Sequence, residues 1–300
     1  MSSRLNQQKD RQKGIVALIF LAFVFACMGL FARFLASGFH LIQQVYLRVL
    51  VAFVLALFVF GKDLDFSKLK KISSMEWLLL LFRSLAQYTV GVVLFTQSII
   101  LTKYSNVSFI GALPFTAVFG FLLVSEKFTW PKMFFIVTAF LGVTLIAVKD
   151  YSHIFSWGFG EILAFISAAF FALGYVTRRW HTGLLNNKEI TILLLFLAVV
   201  MLIPISFLLG EPLPIHGWTN ALVLAVFGAG LFNLTNLSLI NYGFQNVEAV
   251  LASNILTLES TFAIILGFLF YQEFPTLKEF LGGLLIIGSV IKMNQIESRE

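Results

Sequence analysis

The sequence predicts an all-α membrane protein with ten transmembrane helices in two inverted five-helix repeats. Composition, the length of the apolar runs and an internal repeat carry this prediction. Of 300 residues, 59% are hydrophobic and only 12% are charged, with a mean hydropathy of +0.92. Soluble domains carry about 25% charged residues. The charges cluster between apolar runs of about 18 to 23 residues, long enough to span a bilayer core of about 30 Å.

The apolar runs favour helices over a membrane barrel. Lipid offers no hydrogen bonds to the backbone, so only helices and closed barrels span it. Barrel strands are shorter and alternate in polarity, whereas these runs are uniformly apolar. The ten predicted helices cover residues 14–35, 41–60, 76–98, 104–124, 131–148, 158–178, 187–209, 218–241, 246–270 and 276–293.

The first half is predicted to cover residues 14–150 and the second half residues 151–293, with short tails at 1–13 and 294–300. The first run is longer than the apolar region of about 7–15 residues in a secretory signal, so it is predicted to be a retained helix. Thr276 and Glu279 form a capping-box pattern at the start of the tenth helix.

The lysines and arginines predict the orientation. If the N-terminus is cytoplasmic, 15 of the 21 lie on the cytoplasmic side and three on the opposite side. The other three, Arg33, Arg48 and Arg83, lie within or at the edge of spans. Such a bias is the positive-inside pattern, so both termini are expected in the cytoplasm of a multi-pass cell (inner) membrane protein. It also explains the net charge of +6 without nucleic acid, which requires a basic stripe on a folded surface.

An internal repeat predicts how the halves are related. Gly14 and Arg33 align with Gly160 and Arg179 at a shift of 146 residues. Each half therefore holds five spans. Because five is odd, the second half must enter the membrane from the opposite side. Inverted repeats of this kind recur in secondary transporters, which bind substrate near the midplane and alternate access by rocking.

A longer pattern recurs in the last two spans of each half. In the first half it reads Pro114 … Glu126-Lys127-Phe128 … Gly142-Val143, and in the second Leu258-Glu259 … Glu273-Phe274 … Gly288-Ser289. Over residues 14–292 this pattern resembles the EamA-type family of the drug/metabolite transporter superfamily. The resemblance implies ten helices and gradient-linked or facilitated movement of amino acids, metabolites or drugs without ATP. Many second repeats of the family read Glu-Pro where this chain reads Glu259-Ser260, so the sequence does not predict the proline kink of helix nine.

Polar residues within the predicted spans are the candidates for a substrate path, because burying them in lipid is expensive. The predicted substrate-binding residues are Arg48, Arg83, Gln87, Gln97, Asn233, Asn236, Asn254 and Glu259. Pro114 is the predicted hinge, with a tolerated kink as the alternative.

Each assignment has a structural alternative. Gln87 and Gln97 each fall within about 40° of Arg83 on an ideal helix, and Arg83 could bind a substrate carboxylate or phosphate. Arg83 and Arg48 could instead snorkel to the nearest face. Glu259 could couple transport to protons or pair a cation, or it could form a structural ion pair. The asparagines could line the path or only link helices.

Other chemistries find no support in the sequence. The single cysteine, Cys27, permits no intrachain disulfide. The four histidines lack metal-ligand spacing, and no nucleotide-binding or hydrolase motif is present. We therefore predict no cofactor and no metal, and we predict that the chain is not an enzyme.

The predicted function is a secondary transporter of small metabolites, such as amino acids or related anionic or zwitterionic compounds. The predicted partners are a small-molecule substrate and the lipid bilayer, with proton or ion coupling and the oligomeric state left open. The alternatives within the class are a nucleotide-sugar or organic-phosphate carrier and a drug exporter. Outside it they are a membrane-embedded enzyme and a non-transporting receptor.

Overall fold

The computed structural model describes residues 2–123, 129–148, 157–246 and 255–297. Within these residues the protein is helical, apart from one isolated bridge between Val148 and Trp157. Seven helical stretches in the described chain are long and apolar enough to cross a membrane. The all-helical membrane fold is thus confirmed, whereas the exact number of ten crossings is not established by helix length and composition.

The first half contains α1 to α8. They are α1 Ser2–Leu35, α2 Leu41–Phe60, the short α3 Phe66–Leu69, α4 Ser74–Ser84, α5 Val93–Leu101, α6 Tyr104–Gly111, α7 Phe115–Leu123 and α8 Trp130–Ala147. The segment Leu85–Val92, between α4 and α5, is a π-helix. The first helix starts well before the predicted residue 14, because the lysines, arginines and glutamines of the tail are themselves good helix formers.

The described residues of the second half include five longer helices. They are α9 Phe159–Val176, α10 Asn187–Leu208, α11 Asn220–Asn246, α12 Leu258–Tyr271 and α13 Leu277–Glu297. Most predicted boundaries agree with these to within a few residues. The predicted helix 246–270 begins at the last residue of α11, and its following residues 247–254 lie outside the described residues, as do Glu126, Lys127 and Phe128.

The predicted helix 104–124 is two helices. The chain leaves helical geometry between α6 and α7, at Ala112, Leu113 and Pro114. Proline lacks the N–H that would continue the ladder, and its ring clashes with the preceding turn. The predicted span 104–124 is therefore not one unbroken helix. The break falls at Pro114, which is buried there, and the role of Pro114 as a hinge stays a prediction.

The π-helix in the third apolar stretch changes which side chains share a face. A π turn takes more residues than an α turn, so the ideal-helix alignment of Arg83, Gln87 and Gln97 is lost beyond Leu85. Arg83 and Gln87 are buried, whereas Gln97 is half-buried. The prediction of one polar stripe through all three residues was wrong because it assumed a regular helix.

Equivalent helices of the two halves run antiparallel. Glu211, which follows α10, accepts hydrogen bonds from the backbone N–H groups of Ile42 (3.0 Å) and Gln43 (2.9 Å) at the start of α2. At the other ends, Lys188 of α10 pairs with Asp63, just beyond α2, at 2.8 Å. The second helix of each half therefore points in the opposite direction to its counterpart.

The last helices of the two halves, α8 and α13, cross at a pair of glycines. A Cβ added to Gly142 would lie 2.6 Å from the carbonyl oxygen of Gly282, and a Cβ on Gly282 would lie 2.6 Å from that of Gly142. Small residues let helices approach this closely in membranes. Lys278 at the start of α13 donates to the carbonyl of Val148 beyond the end of α8, at 2.8 Å, so this pair is also antiparallel.

The first helix of each half packs against the third span of the other half. Helix α1 packs on α11, and its counterpart α9 packs on α5 and the π-helix.

The predicted capping box at the start of α13 is confirmed: Thr276 N–H donates to Glu279 at 2.6 Å, and Glu279 N–H donates to the Thr276 hydroxyl at 3.4 Å.

The glycine crossing predicts a position-specific loss of stability. Gly142→Leu should lower the free energy of unfolding by roughly 1–3 kcal/mol, because the side chain must displace the backbone of α13. The measurement is the thermal midpoint in detergent, followed by size-exclusion chromatography. Gly288→Leu is the matched control, since nothing lies within 4 Å of a Cβ at Gly288. An equal fall of the thermal midpoint in both variants would show that close packing at the glycine crossing does not contribute specifically to stability.

Candidate functional site

The polar centre of the bundle lies where α6 and α12 cross. The Ser108 hydroxyl donates to the Ser260 hydroxyl at 3.4 Å, and the Ser260 hydroxyl also lies 3.3 Å from the carbonyl of Ser108. The neighbouring Glu259 is half-buried and lies in hydrogen-bonding contact with Ser108. We call Ser108, Glu259 and Ser260 the central crossing.

Both helices of the central crossing are interrupted. Helix α6 ends three residues before Pro114, and α12 begins after a turn at Thr257. Glu259 therefore lies in the first turn of α12, although Ser260 stands where the family resemblance leads one to expect proline. The span is thus interrupted by a single turn residue, Thr257, without a proline. Discontinuous helices of this kind form the substrate sites of many inverted-repeat transporters.

Two tyrosines lie within electrostatic range of Glu259. They are Tyr104, at the start of α6, and Tyr175, near the end of α9. Tyr104 is almost completely buried and packs on Gly29 of α1, where an added Cβ would lie 2.4 Å from its ring. The surroundings of the carboxylate are therefore built from both halves of the chain. Neither tyrosine was predicted, since nothing in the sequence separates them from other aromatic residues of the spans.

Arg48 is a buried cation with very little compensation. Its residue exposure is 1%, and its guanidinium donates to the Thr96 hydroxyl at 2.8 Å. Its Nε has no hydrogen-bond partner, and no carboxylate of the described residues forms an ion pair with it. Snorkelling to a face is thus not what this side chain does. A guanidinium in this condition can bind an anion through its free N–H groups.

Other unsatisfied amides lie on the helices beside Arg48. Gln44, one turn earlier on α2, is fully buried and neither atom of its amide has a partner among the described residues. On α11, Asn233 donates to the carbonyl of Ala229 at 3.1 Å, whereas Asn236 has an unpartnered Oδ1. The Asn233 amide therefore already uses one donor within its own helix. Gln44 and Asn236 have amide atoms without hydrogen-bond partners among the described residues. Asn254 lies outside the described residues.

Arg83 and Gln87 contact α9 instead of the central crossing. Arg83 donates to the carbonyl of Gly174 at 3.1 Å and lies 3.0 Å from His181 Nε2. Gln87 packs against Gly174, where an added Cβ would lie 2.2 Å from its Cγ, and its Oε1 has no partner. The two sequence-predicted arginines are therefore in different environments, and Arg83 is already held by the protein.

A histidine that sequence analysis did not select completes the Arg83 environment. His181 Nδ1 lies 2.5 Å from Glu76, and the side chains of both residues are essentially buried. Burial lowers the pKa of His181 below its usual 6.5; Arg83 and Arg178 act in the same direction, and Glu76 opposes them. We call Glu76, Arg83 and His181 the α9–α10 latch, because it lies where the chain passes from α9 to α10.

The opposite end of the bundle is tied by ion pairs between the halves. Arg33, at the end of α1, pairs with Glu273 at 2.7 Å, and Glu273 also accepts from the N–H of Tyr104 at 2.9 Å. Lys103 pairs with Glu279 at 2.8 Å. A cavity of about 640 Å³ lies at this end, lined by Arg33, Ala36, Ile100, Leu101, Thr102, Lys103 and Glu273. The cavity is thus separate from the central crossing.

The described residues contain no group of three histidine, cysteine or acidic side chains that could hold a metal ion. The buried and half-buried polar side chains of the described spans include an arginine without an ion-pair partner, a carboxylate, amides and hydroxyls. These are the kinds of group that bind small polar molecules.

Comparisons with known proteins agree with this architecture. The model of the EamA-like transporter family matches residues 12–148 and again residues 158–295. A protein of Synechocystis sp. named as an uncharacterized transporter is 25% identical over 264 residues, covering 81% of this chain and 72% of that protein. A solved crystal structure with 13% sequence identity has a TM-score of 0.65 and covers 97% of this chain and 98% of its own, a likeness in fold.

The state of Arg48 predicts an unusual effect on stability. Arg48→Met should raise the free energy of unfolding by about 1–4 kcal/mol, because it removes a buried charge that no described carboxylate compensates. Thr96 keeps a partner in the variant, since its hydroxyl donates to the carbonyl of Val92 at 2.7 Å. Thermal midpoints in detergent provide the measurement, with Arg48→Lys as the control that keeps the charge. A lower midpoint for Arg48→Met would show that the guanidinium is well compensated.

Proposed function

This chain belongs to the EamA-like transporter family, and we propose that it is a secondary transporter that moves a small metabolite across the cell membrane by alternating access. The observation that carries the proposal is the central crossing, where two interrupted helices from opposite halves meet around Glu259. Broken helices are tolerated at membrane depth only inside protein or beside a cavity. Their meeting point is therefore where a substrate can bind.

Ten crossings in inverted five-helix repeats fit the contacts between the halves. Helices α6 and α7 together, and the stretch that ends with α12, serve as one crossing each. The antiparallel pairs α2 with α10 and α8 with α13 require equivalent helices to enter from opposite sides. With the positive-inside bias of the loops, both termini lie in the cytoplasm.

The substrate class follows from Arg48. A buried guanidinium with free N–H groups favours a carboxylate or similar anion, and the unpartnered amides of Gln44 and Asn236 supply neutral hydrogen bonds. We therefore propose an amino acid or a related zwitterionic or anionic metabolite. Glu259 is suited to bind either the ammonium group of such a substrate or a proton.

Transport in proteoliposomes tests the substrate class. A panel of radiolabelled amino acids should contain at least one that accumulates, and Arg48→Met should reduce its uptake at least about tenfold through the loss of a charge-assisted bond. Asn186→Ser is a control far from the site, since it keeps a capping residue at the start of α10. Uptake of sugar nucleotides or phosphates without amino acids would overturn the proposed class.

Glu259 provides a separate test of coupling. Glu259→Gln should abolish accumulation driven by a pH gradient while leaving exchange of labelled for unlabelled substrate, because the amide cannot carry a proton. Asn186→Ser, far from the central crossing, is again the control, because it keeps both the carboxylate and a capping residue for α10. Accumulation that survives in Glu259→Gln would remove Glu259 from the coupling mechanism.

A further inference from the structure

The α9–α10 latch has a hydrogen-bonding arrangement that only one protonation state of its histidine satisfies. His181 Nε2 lies 3.0 Å from Nη1 of Arg83, and a guanidinium can only donate. The Nε2 atom must therefore accept, so that the proton of the neutral ring lies on Nδ1. From there it is donated to the Glu76 carboxylate, 2.5 Å away.

We propose that His181 is a proton-binding site, and that its protonation breaks the contact with Arg83 and loosens the packing of α4 against the end of α9. A proton on Nε2 would place two donors face to face, both positively charged. The Arg83 guanidinium would keep its bond to Gly174 but lose the ring acceptor. Glu76 would keep its bond to His181, so the ring would stay with Glu76. The Arg83 end of α4 would then be held to α9 by one bond instead of two.

The position of the latch gives this change a mechanical consequence. Glu76 and Arg83 lie on α4 in the first half. In the second half, Gly174 lies near the end of α9 and His181 in the connection to α10. Glu76 also accepts from the N–H of Thr182 at 3.2 Å. The latch therefore joins the halves at the end opposite to the Arg33–Glu273 pair.

The charges around the ring decide which protonation state persists. Arg178, on the preceding turn, disfavours the charged ring and donates to Asn187 at 2.5 Å. Tyr88 and Tyr175 lie within electrostatic range of Arg83. At the start of α10, Lys188 is paired with Asp63 and Glu189 with Lys68. Burial lowers the pKa of His181 below 6.5, so the ring is neutral at neutral pH and binds a proton only in a more acidic medium.

A distance measurement tests the inference without a substrate, so its failure is distinct from a failure of the proposed function. Spin labels at Phe82→Cys and Trp180→Cys, both at exposed positions, report the separation of the Arg83 end of α4 from the end of the α9 stretch. The background is Cys27→Ser in lipid nanodiscs. The distance should lengthen from about pH 7.5 to about pH 5, as expected for titration of a histidine.

Substitutions at His181 separate its titration from that of other groups. His181→Gln offers an oxygen acceptor that does not titrate, and should keep the shorter distance at both pH values. His181→Arg carries a permanent charge and should show the longer distance at both. His216→Gln, at an exposed loop histidine, should behave as the unsubstituted protein. No pH-dependent change in the unsubstituted protein, or a full change in His181→Gln, would overturn the proposal.

Discussion

The requirement that every backbone N–H and C=O group be satisfied away from water governs this structure. It explains why the described chain is helical, and why its interruptions are sheltered. The break at Pro114 and the turn at Thr257 occur in helices that cross one another, so each lies beside the other half instead of lipid. At an interruption, backbone polar groups lack helical partners, so they are available to bind a polar molecule inside the bundle.

Two pairs of equivalent helices, α2 with α10 and α8 with α13, pack against each other across the halves. The glycine pair of α8 and α13 has no flexible side chain at its closest point, so this contact resists sliding. The ends of the bundle are held differently, by the Arg33–Glu273 pair at one end and by the α9–α10 latch at the other. Charged contacts that can exchange partners therefore lie at the ends, while close backbone contact fixes the interface between the last helices.

Sequence reasoning recovered the helical membrane fold, the two repeats and the capping box of Thr276 and Glu279, because these depend on apolar length and local hydrogen bonding. It failed where register or tertiary contact decides. The π-helix places Gln97 on a different face of the span from Arg83, and no residue pattern predicts a π-helix there. His181 was not selected from the sequence, since only the fold brings it to Glu76 and Arg83.

The two intramembrane arginines show how much of function depends on partners instead of residue type. In the sequence, Arg48 and Arg83 are equally deep and equally suited to an anion. In the structure, Arg83 is held by a carbonyl and a histidine, whereas Arg48 has a single hydroxyl and a vacant Nε. A buried charge without a compensating partner lowers stability. Such a residue is expected to persist where the charge binds a ligand. Arg48 is for this reason the stronger candidate to bind substrate, and Arg83 the stronger candidate to control access to it.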